Sequence, residues 1–230
     1  MNALLSTVAV ALLLGASQSA PPQGEPAPAA APKPAAAQAE RAKRVSAGEA
    51  APDFTVKGLD GKERKLVDLR GDKKDKILVL SFWSHTCPWS RGWDAELSKI
   101  AKDYASKNVV IVGIDSNKAG NSDGGKNTDS AEDVARYRKE TSLAFEVFLD
   151  PQSTVANLFG GQTTPDVFVI GVDGKVHYTG RVDDMEKPGG EKVEKHYLRS
   201  ALDAIVAGKP VAEANTKPAG CSIKRAKIGS

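Results

Sequence analysis

The chain has 230 residues, 40% hydrophobic and 27% charged, with a formal net charge of +3. That length fits one domain of ordinary size with tails, and the apolar fraction supports a packed core, which excludes a chain disordered throughout. The small charge, with no cluster of Lys and Arg interleaved with aromatics, excludes nucleic acid as a partner; the short run Lys73-Lys74 is offset by Asp72 and Asp75.

Residues 1–20 read as an export signal. An apolar stretch from Ala3 to Ala16 is followed by small residues up to Ala20, the order in which an apolar region precedes a cleavage site. The stretch is shorter than the roughly 20 residues of a membrane span. No Lys or Arg precedes it and Pro21 follows the expected cleavage point, so an uncleaved N-terminus acting as a membrane tether is the alternative. A periplasmic or secreted location is expected. Residues 21–45, dominated by Ala and Pro, read as a disordered linker that cannot bury enough apolar surface to offset its ordering entropy. The domain is expected at 46–213, with a C-terminal tail at 214–230 that carries Cys221.

Within the domain, Ala51–Phe54 forms an extended entry and Asp60-Gly61 marks a tight turn. Ile77–Trp83 is a continuous apolar run, the pattern of a central strand covered on both faces. Trp93, Leu97, Ile100 and Tyr104 then recur at helical spacing. Val109–Ile114 is a second buried strand. Ser130 opens a helix, with an acid three residues after the cap. A third strand at Phe145–Leu149 and a short helix through Val155, Leu158 and Phe159 follow. Val167–Ile170 and Val176–Arg181 make a hairpin around Asp173-Gly174, and a last helix spans His196–Ala207, ended by Gly208. Strand–helix alternation gives a parallel section through right-handed crossovers, to which the hairpin adds antiparallel strands. The fold class is α/β, a central mixed sheet with helices on both faces.

The chemistry concentrates at Phe82-Trp83-Ser84-His85-Thr86-Cys87-Pro88-Trp89-Ser90, where a buried strand passes into a helix. Proline is favoured at the first helical position, which makes Cys87 the N-cap. A thiolate there meets unpaired backbone N–H groups and the positive end of the helix dipole. Such positions lower a thiol pKa from about 8.5 into the range of roughly 3.5–7.5 and make it a nucleophile. The alternative is a small buried cysteine that only packs. His85 stands either as a proton-transfer group or as a surface residue. Cys87 and Cys221 are the two cysteines, and in an oxidising compartment they allow one disulfide or two free thiols. Pro165, just before a buried strand, cannot donate to the ladder; trans is the default for its peptide bond.

These segments resemble the thioredoxin superfamily, in the redoxin branch (AhpC/TSA, peroxiredoxin-like) that includes antioxidant peroxidases and thiol–disulfide proteins. Phe-Trp-x-x-x-Cys-Pro-x-Ser occupies the place of the family's Trp-Cys-x-x-Cys, and Thr164-Pro165 matches its cis-proline loop. The stretches Thr164–Phe168, Tyr178–Asp184 and Gly220–Lys224 add to the likeness, which covers about Ala51 to Lys224. The resemblance implies a thioredoxin-like fold, Cys87 as nucleophile and a cis Thr164–Pro165 bond beside it; with no second cysteine nearby, Cys221 on its Pro- and Gly-containing tail, or an external thiol, is expected to resolve Cys87. It implies a disulfide or peroxide substrate, an external thiol reductant, no cofactor and no metal ligands. The chain departs from the pattern in three places. Ser90 replaces the second cysteine; Leu80 and Ser84 stand where a peroxidatic site has Pro and Thr; and Arg225 follows Ile223-Lys224 in place of an aromatic. Arg181 is read as holding an anion or as a surface ion pair, and Asp183 and Asp184 as turn caps. An exported thiol-dependent oxidoreductase is therefore expected. A non-catalytic binding or assembly module of the cell envelope, and metal handling by Cys87 with a nearby His, are the alternatives.

Overall fold

The computed structural model describes residues 43–71, 75–125, 127–190 and 192–227. The expected signal, and the linker as far as residue 42, lie outside them. Seven strands form one mixed sheet: β1 (Thr55–Gly58), β2 (Glu63–Lys65), β3 (Ile77–Phe82), β4 (Val109–Asp115), β5 (Glu146–Leu149), β7 (Asp166–Ile170) and β8 (Val176–Gly180). Their order is β2-β1-β5-β4-β3-β7-β8. β3, β4 and β5 run parallel, and β7 pairs antiparallel with both β3 and β8. A separate two-stranded ladder joins β6 (Thr163–Thr164) to β9 (Cys221–Ser222).

β3 is buried along its whole length, as its run of apolar residues, interrupted by Ser81, dictates. Its side chains alternate between two cores. Ile77 and Val79 pack with α2 (Pro88–Tyr104), α3 (Ala131–Thr141) and α5 (Tyr197–Val206), through Trp93, Leu97, Ile100, Val134, Leu198 and Leu202. Leu78, Leu80 and Phe82 face the opposite side, against Leu69 of α1 (Leu66–Leu69), Val155 and Phe159 of α4 (Thr154–Phe159), and Phe168. Helices thus cover both faces, as expected. Trp83, just past β3, donates from Nε1 to Asp94 of α2 at 2.7 Å, and Tyr137 of α3 donates to the other oxygen of Asp94 at 2.7 Å. Those two bonds fix the strand-to-helix passage to two neighbouring helices.

The packed body reaches beyond the boundaries expected from composition. Val45 is buried and Arg44 makes a two-pronged pair with Asp166, at 2.6 and 2.7 Å. Arg44 also donates to Thr179 Oγ1 at 2.7 Å. Arg44 and Val45 therefore pack onto the domain, because Asp166 is fully buried and Arg44 supplies its countercharge. At the other end, the tail is laid onto the sheet. Thr179 N donates to Ala214 O, Thr216 N donates back to Thr179 O, and Ile223 is buried.

Candidate thiol site

The backbone makes Cys87 the N-cap of α2 (φ −92°, ψ 118°) with Pro88 in the first turn, as the sequence implied. Cys87 N donates to Ser84 O, and Arg91 N donates to Cys87 O, closing the turn. Ser90, in the position of the missing second cysteine, is fully buried and its Oγ accepts from Ser84 N at 3.3 Å.

The cysteine sulfur does not cap the helix. It is 4% exposed and donates to the carbonyl oxygen of Thr164 at 3.0 Å. This corrects the expectation of a sulfur resting on free helix amides: a thiol is a donor, and a carbonyl lies within its reach. The Thr164–Pro165 bond is cis. The amide of Trp89, the second residue of α2, instead favours the thiolate of Cys221.

Cys221 reaches this point through the β6–β9 ladder, in which Thr164 stands opposite Cys221 and Thr163 opposite Ser222. The tail needs a glycine here. A Cβ on Gly220 (φ +154°) would lie 2.3 Å from Thr164 O and 2.7 Å from Thr164 C. Beyond Cys221, Ile223 N donates to Gln162 O, and Lys224 N donates to Asn117 Oδ1 at 2.8 Å. Arg225 donates to Asn157 Oδ1 at 2.8 Å and to the carbonyl of Gly161. The residue that departs from the aromatic expected at that place is thus an anchor of the tail, which sequence reasoning missed.

Cys221 therefore stands opposite the residue whose carbonyl takes the Cys87 thiol, close enough for each thiol to affect the other's ionisation, and both cysteines are free thiols. Burial, together with the neighbouring Cys87 thiol, pushes the Cys221 thiol up to about 11, against the opposing pull of the Trp89 amide. All four residues singled out from the sequence, Cys87, Thr164, Pro165 and Cys221, meet in one place. Arg181 does not join them: its guanidinium donates to Met185 O at 2.7 Å. Asp183 accepts from Trp93 Nε1 at 2.6 Å and from Met185 N at 3.0 Å, and Asp184 accepts from Glu194 N at 2.9 Å, so both fasten loops. Ser84 donates to Asp129 at 2.9 Å and shares a hydrogen bond with Thr86. His85 is 2% exposed, which corrects the surface reading; burial lowers its basicity against the opposing field of Asp129.

A mixed sheet of this order, with a cysteine at the β3–α2 junction facing a cis-proline, defines a thioredoxin-like oxidoreductase. The AhpC/TSA family model matches residues 47–179, and the chain belongs to that family, in the redoxin branch of the thioredoxin superfamily. It is similar to thiol-disulfide oxidoreductase ResA of Geobacillus thermodenitrificans, 26% identical over 132 residues that make up 57% of this chain and 67% of that protein. The ResA protein of Bacillus thuringiensis strain Al Hakam is 29% identical over 133 residues, 58% of this chain and 68% of that one. Among solved structures, an uncharacterized conserved protein from Geobacillus kaustophilus is 31% identical, with a TM-score of 0.70 over 80% of this chain and 94% of that one. A hypothetical protein from Sinorhizobium meliloti 1021 is 29% identical, also with a TM-score of 0.70, over 80% and 97% of the two chains.

Proposed function

We propose that the chain is an exported thiol–disulfide oxidoreductase in which Cys87 attacks and Cys221 resolves. The observation that carries this reading is the meeting of the two sulfurs across Thr164. Cys87 bonds to the Thr164 carbonyl, while Cys221 pairs opposite the same residue, close enough for the Cys87 thiol to raise its pKa. With its thiol pushed up to about 11, Cys221 is protonated at neutral pH, which leaves the first attack to Cys87.

In the proposed cycle the Cys87 thiolate forms a bond to one sulfur of a substrate disulfide. The substrate S–S bond breaks, and the departing thiolate takes a proton. Cys221 then gives up its proton and attacks Cys87 Sγ, expelling the second substrate thiol. The substrate gains two electrons and the pair becomes a Cys87–Cys221 disulfide, which an external thiol reductant reopens. Disulfide is favoured over peroxide as the oxidant because Ser84, in the place of the peroxidatic threonine, turns its hydroxyl to Asp129 and Thr86.

The test treats the reduced chain with excess glutathione disulfide, followed by alkylation and peptide mass spectrometry. A Cys87–Cys221 linkage is expected, with Cys221→Ser trapping glutathione on Cys87 and Cys87→Ser forming no adduct. A Cys87 that takes up no glutathione in either form overturns the reading in favour of a binding module. Export rests on the N-terminal apolar stretch. It is checked by the mass of the mature chain, expected to begin after Ala20; among the described residues no helix is long and apolar enough to cross a membrane.

A further inference from the structure

Next to the thiols, but not part of them, lies a cluster of oxygen and nitrogen donors. It is built from three elements: His85 in the β3–α2 passage, Asp115 at the end of β4, and Asp129 just before α3. One ligand atom from each lies within 4.8 Å of the others. Acidic groups often gather without a metal, so the grouping alone decides nothing.

Two unsatisfied groups decide it. His85 packs beside the rings of Trp83 and Tyr137, with centroids 6.1 and 5.2 Å away, and neither of its ring nitrogens has a hydrogen-bond partner. Nδ1 lies 3.4 Å from Asp129 Oδ1, but not in hydrogen-bonding alignment. Asp115 is 2% exposed and its Oδ2 is likewise unpartnered. Buried polar side chains nearly always find partners, so two idle donor atoms from different elements, meeting at one point, call for an occupant. The spacing suits one. Ligand atoms about 2.1 Å from a tetrahedral metal stand about 3.4 Å apart, the separation between His85 Nδ1 and Asp129 Oδ1.

We propose that His85, Asp115 and Asp129 bind a first-row divalent cation, with zinc as the reference ion. With both carboxyl groups ionised, a neutral imidazole and two carboxylates carry a charge of −2, which a divalent cation cancels. The nitrogen and oxygen set, without sulfur, suits zinc, manganese or ferrous iron and disfavours cuprous copper. Asp129 is already aimed. Its Oδ2 accepts from Asn117 at 2.8 Å, Asn121 at 2.6 Å and Thr86 at 3.0 Å, the outer hydrogen bonds that orient a ligating carboxylate. The three protein ligands leave one position for water. This site is independent of the thiol reading and differs from the metal handling by Cys87 that the sequence left open.

The test uses zinc ion alone and the full chain with Cys87→Ser and Cys221→Ser, so that sulfur cannot contribute. Equilibrium dialysis with elemental mass spectrometry is expected to give one equivalent bound. His85→Gln and Asp115→Asn are each expected to weaken binding by at least about 100-fold. Failure of the cysteine-free chain to hold one equivalent, or unchanged binding in both variants, overturns the proposal. A second readout needs no ligand variant. Cobalt added to the cysteine-free chain is expected to show the intense visible bands of tetrahedral nitrogen and oxygen coordination, and a spectrum identical to aqueous cobalt overturns the site.

Discussion

Gly220→Ala isolates the contact that brings the second thiol to the first. The added Cβ would stand 2.3 Å from the Thr164 carbonyl oxygen and 3.1 Å from Pro165 N. A comfortable carbon–oxygen contact is about 3.3–3.6 Å, so tail and loop must separate by about 1 Å. Both sides are backbone, one of them paired in β6–β9, so no flexible side chain can give way. Overpacking of this kind costs about 2 kcal/mol, which shifts the docked-to-undocked balance of the tail about 30-fold. The assay is alkylation of Cys221 in the reduced chain at neutral pH, read by peptide mass spectrometry. Reaction through brief undocking scales with the undocked population, so the rate is expected to rise about 30-fold. Gly208→Ala is the control: that glycine also has positive φ (+65°), but a Cβ there meets nothing within 4 Å. It should lose some global stability and leave Cys221 labelling unchanged. Equal labelling rates in Gly220→Ala and the unmodified chain would refute the steric account of docking.

Arg44→Ala strips the countercharge from fully buried Asp166. Breaking such a pair from one side should destabilise the fold by about 3 kcal/mol in urea unfolding, and a loss under about 0.5 kcal/mol would mean that residues 43–45 do not hold the domain. For Cys221, the difference in thiolate ultraviolet absorbance between the chain and Cys221→Ser should titrate near pH 11. The unfolded thiol releases its proton first, so the contribution of this group to stability is complete below the unfolded value and declines as pH rises toward 11; titration at the unperturbed value would contradict the burial. Ser90→Cys places a second thiol three residues after the N-cap, within the usual 4.4–6.8 Å Cα range of a disulfide. Oxidation should then divert Cys87 into the local bridge and leave Cys221 free for labelling, whereas an unchanged Cys87–Cys221 linkage would show that the tail outcompetes the helix.

Much of this site was legible because its parts carry strong local signals. The apolar run from Ile77 specified a strand buried on both faces, the spacing of Trp93, Leu97, Ile100 and Tyr104 specified the helix, and Pro88 placed Cys87 at the cap. Pairing across the long gap between Thr164 and Cys221 was less accessible. Two-residue strands show no periodicity, and their register comes from the close approach at Gly220 and the anchoring of Arg225, both tertiary facts. The direction of the Cys87 thiol differs from the expectation because the sequence displays the amides of α2 but not the competing carbonyl of Thr164. Arg44 was hidden by its Ala- and Pro-rich neighbours, since composition averages over a window and a single buried countercharge does not alter the average. The His85–Asp115–Asp129 cluster forms no motif, because its members come from three elements that only the sheet brings together.

Moving the second thiol from helix to tail has a kinetic consequence that a local pair would not have. Cys87 is 4% exposed and bonds to the Thr164 carbonyl, opposite which the tail is paired, so a substrate disulfide is expected to reach its sulfur when the tail lifts. In the proposed cycle, undocking therefore assists the first attack, whereas closure of the Cys87–Cys221 bond requires the tail to return. Gly220→Ala should split these two steps. Mixed-disulfide formation on Cys87 should accelerate by up to the same factor of about 30, while the subsequent closure gains nothing or slows. Stopped-flow mixing with a chromogenic disulfide, followed by acid quench at successive times, resolves the two steps. If the first step is insensitive to the substitution while Cys221 labelling rises, Cys87 is reached by a route that bypasses the tail, and the docked segment then acts only as the carrier of the resolving thiol.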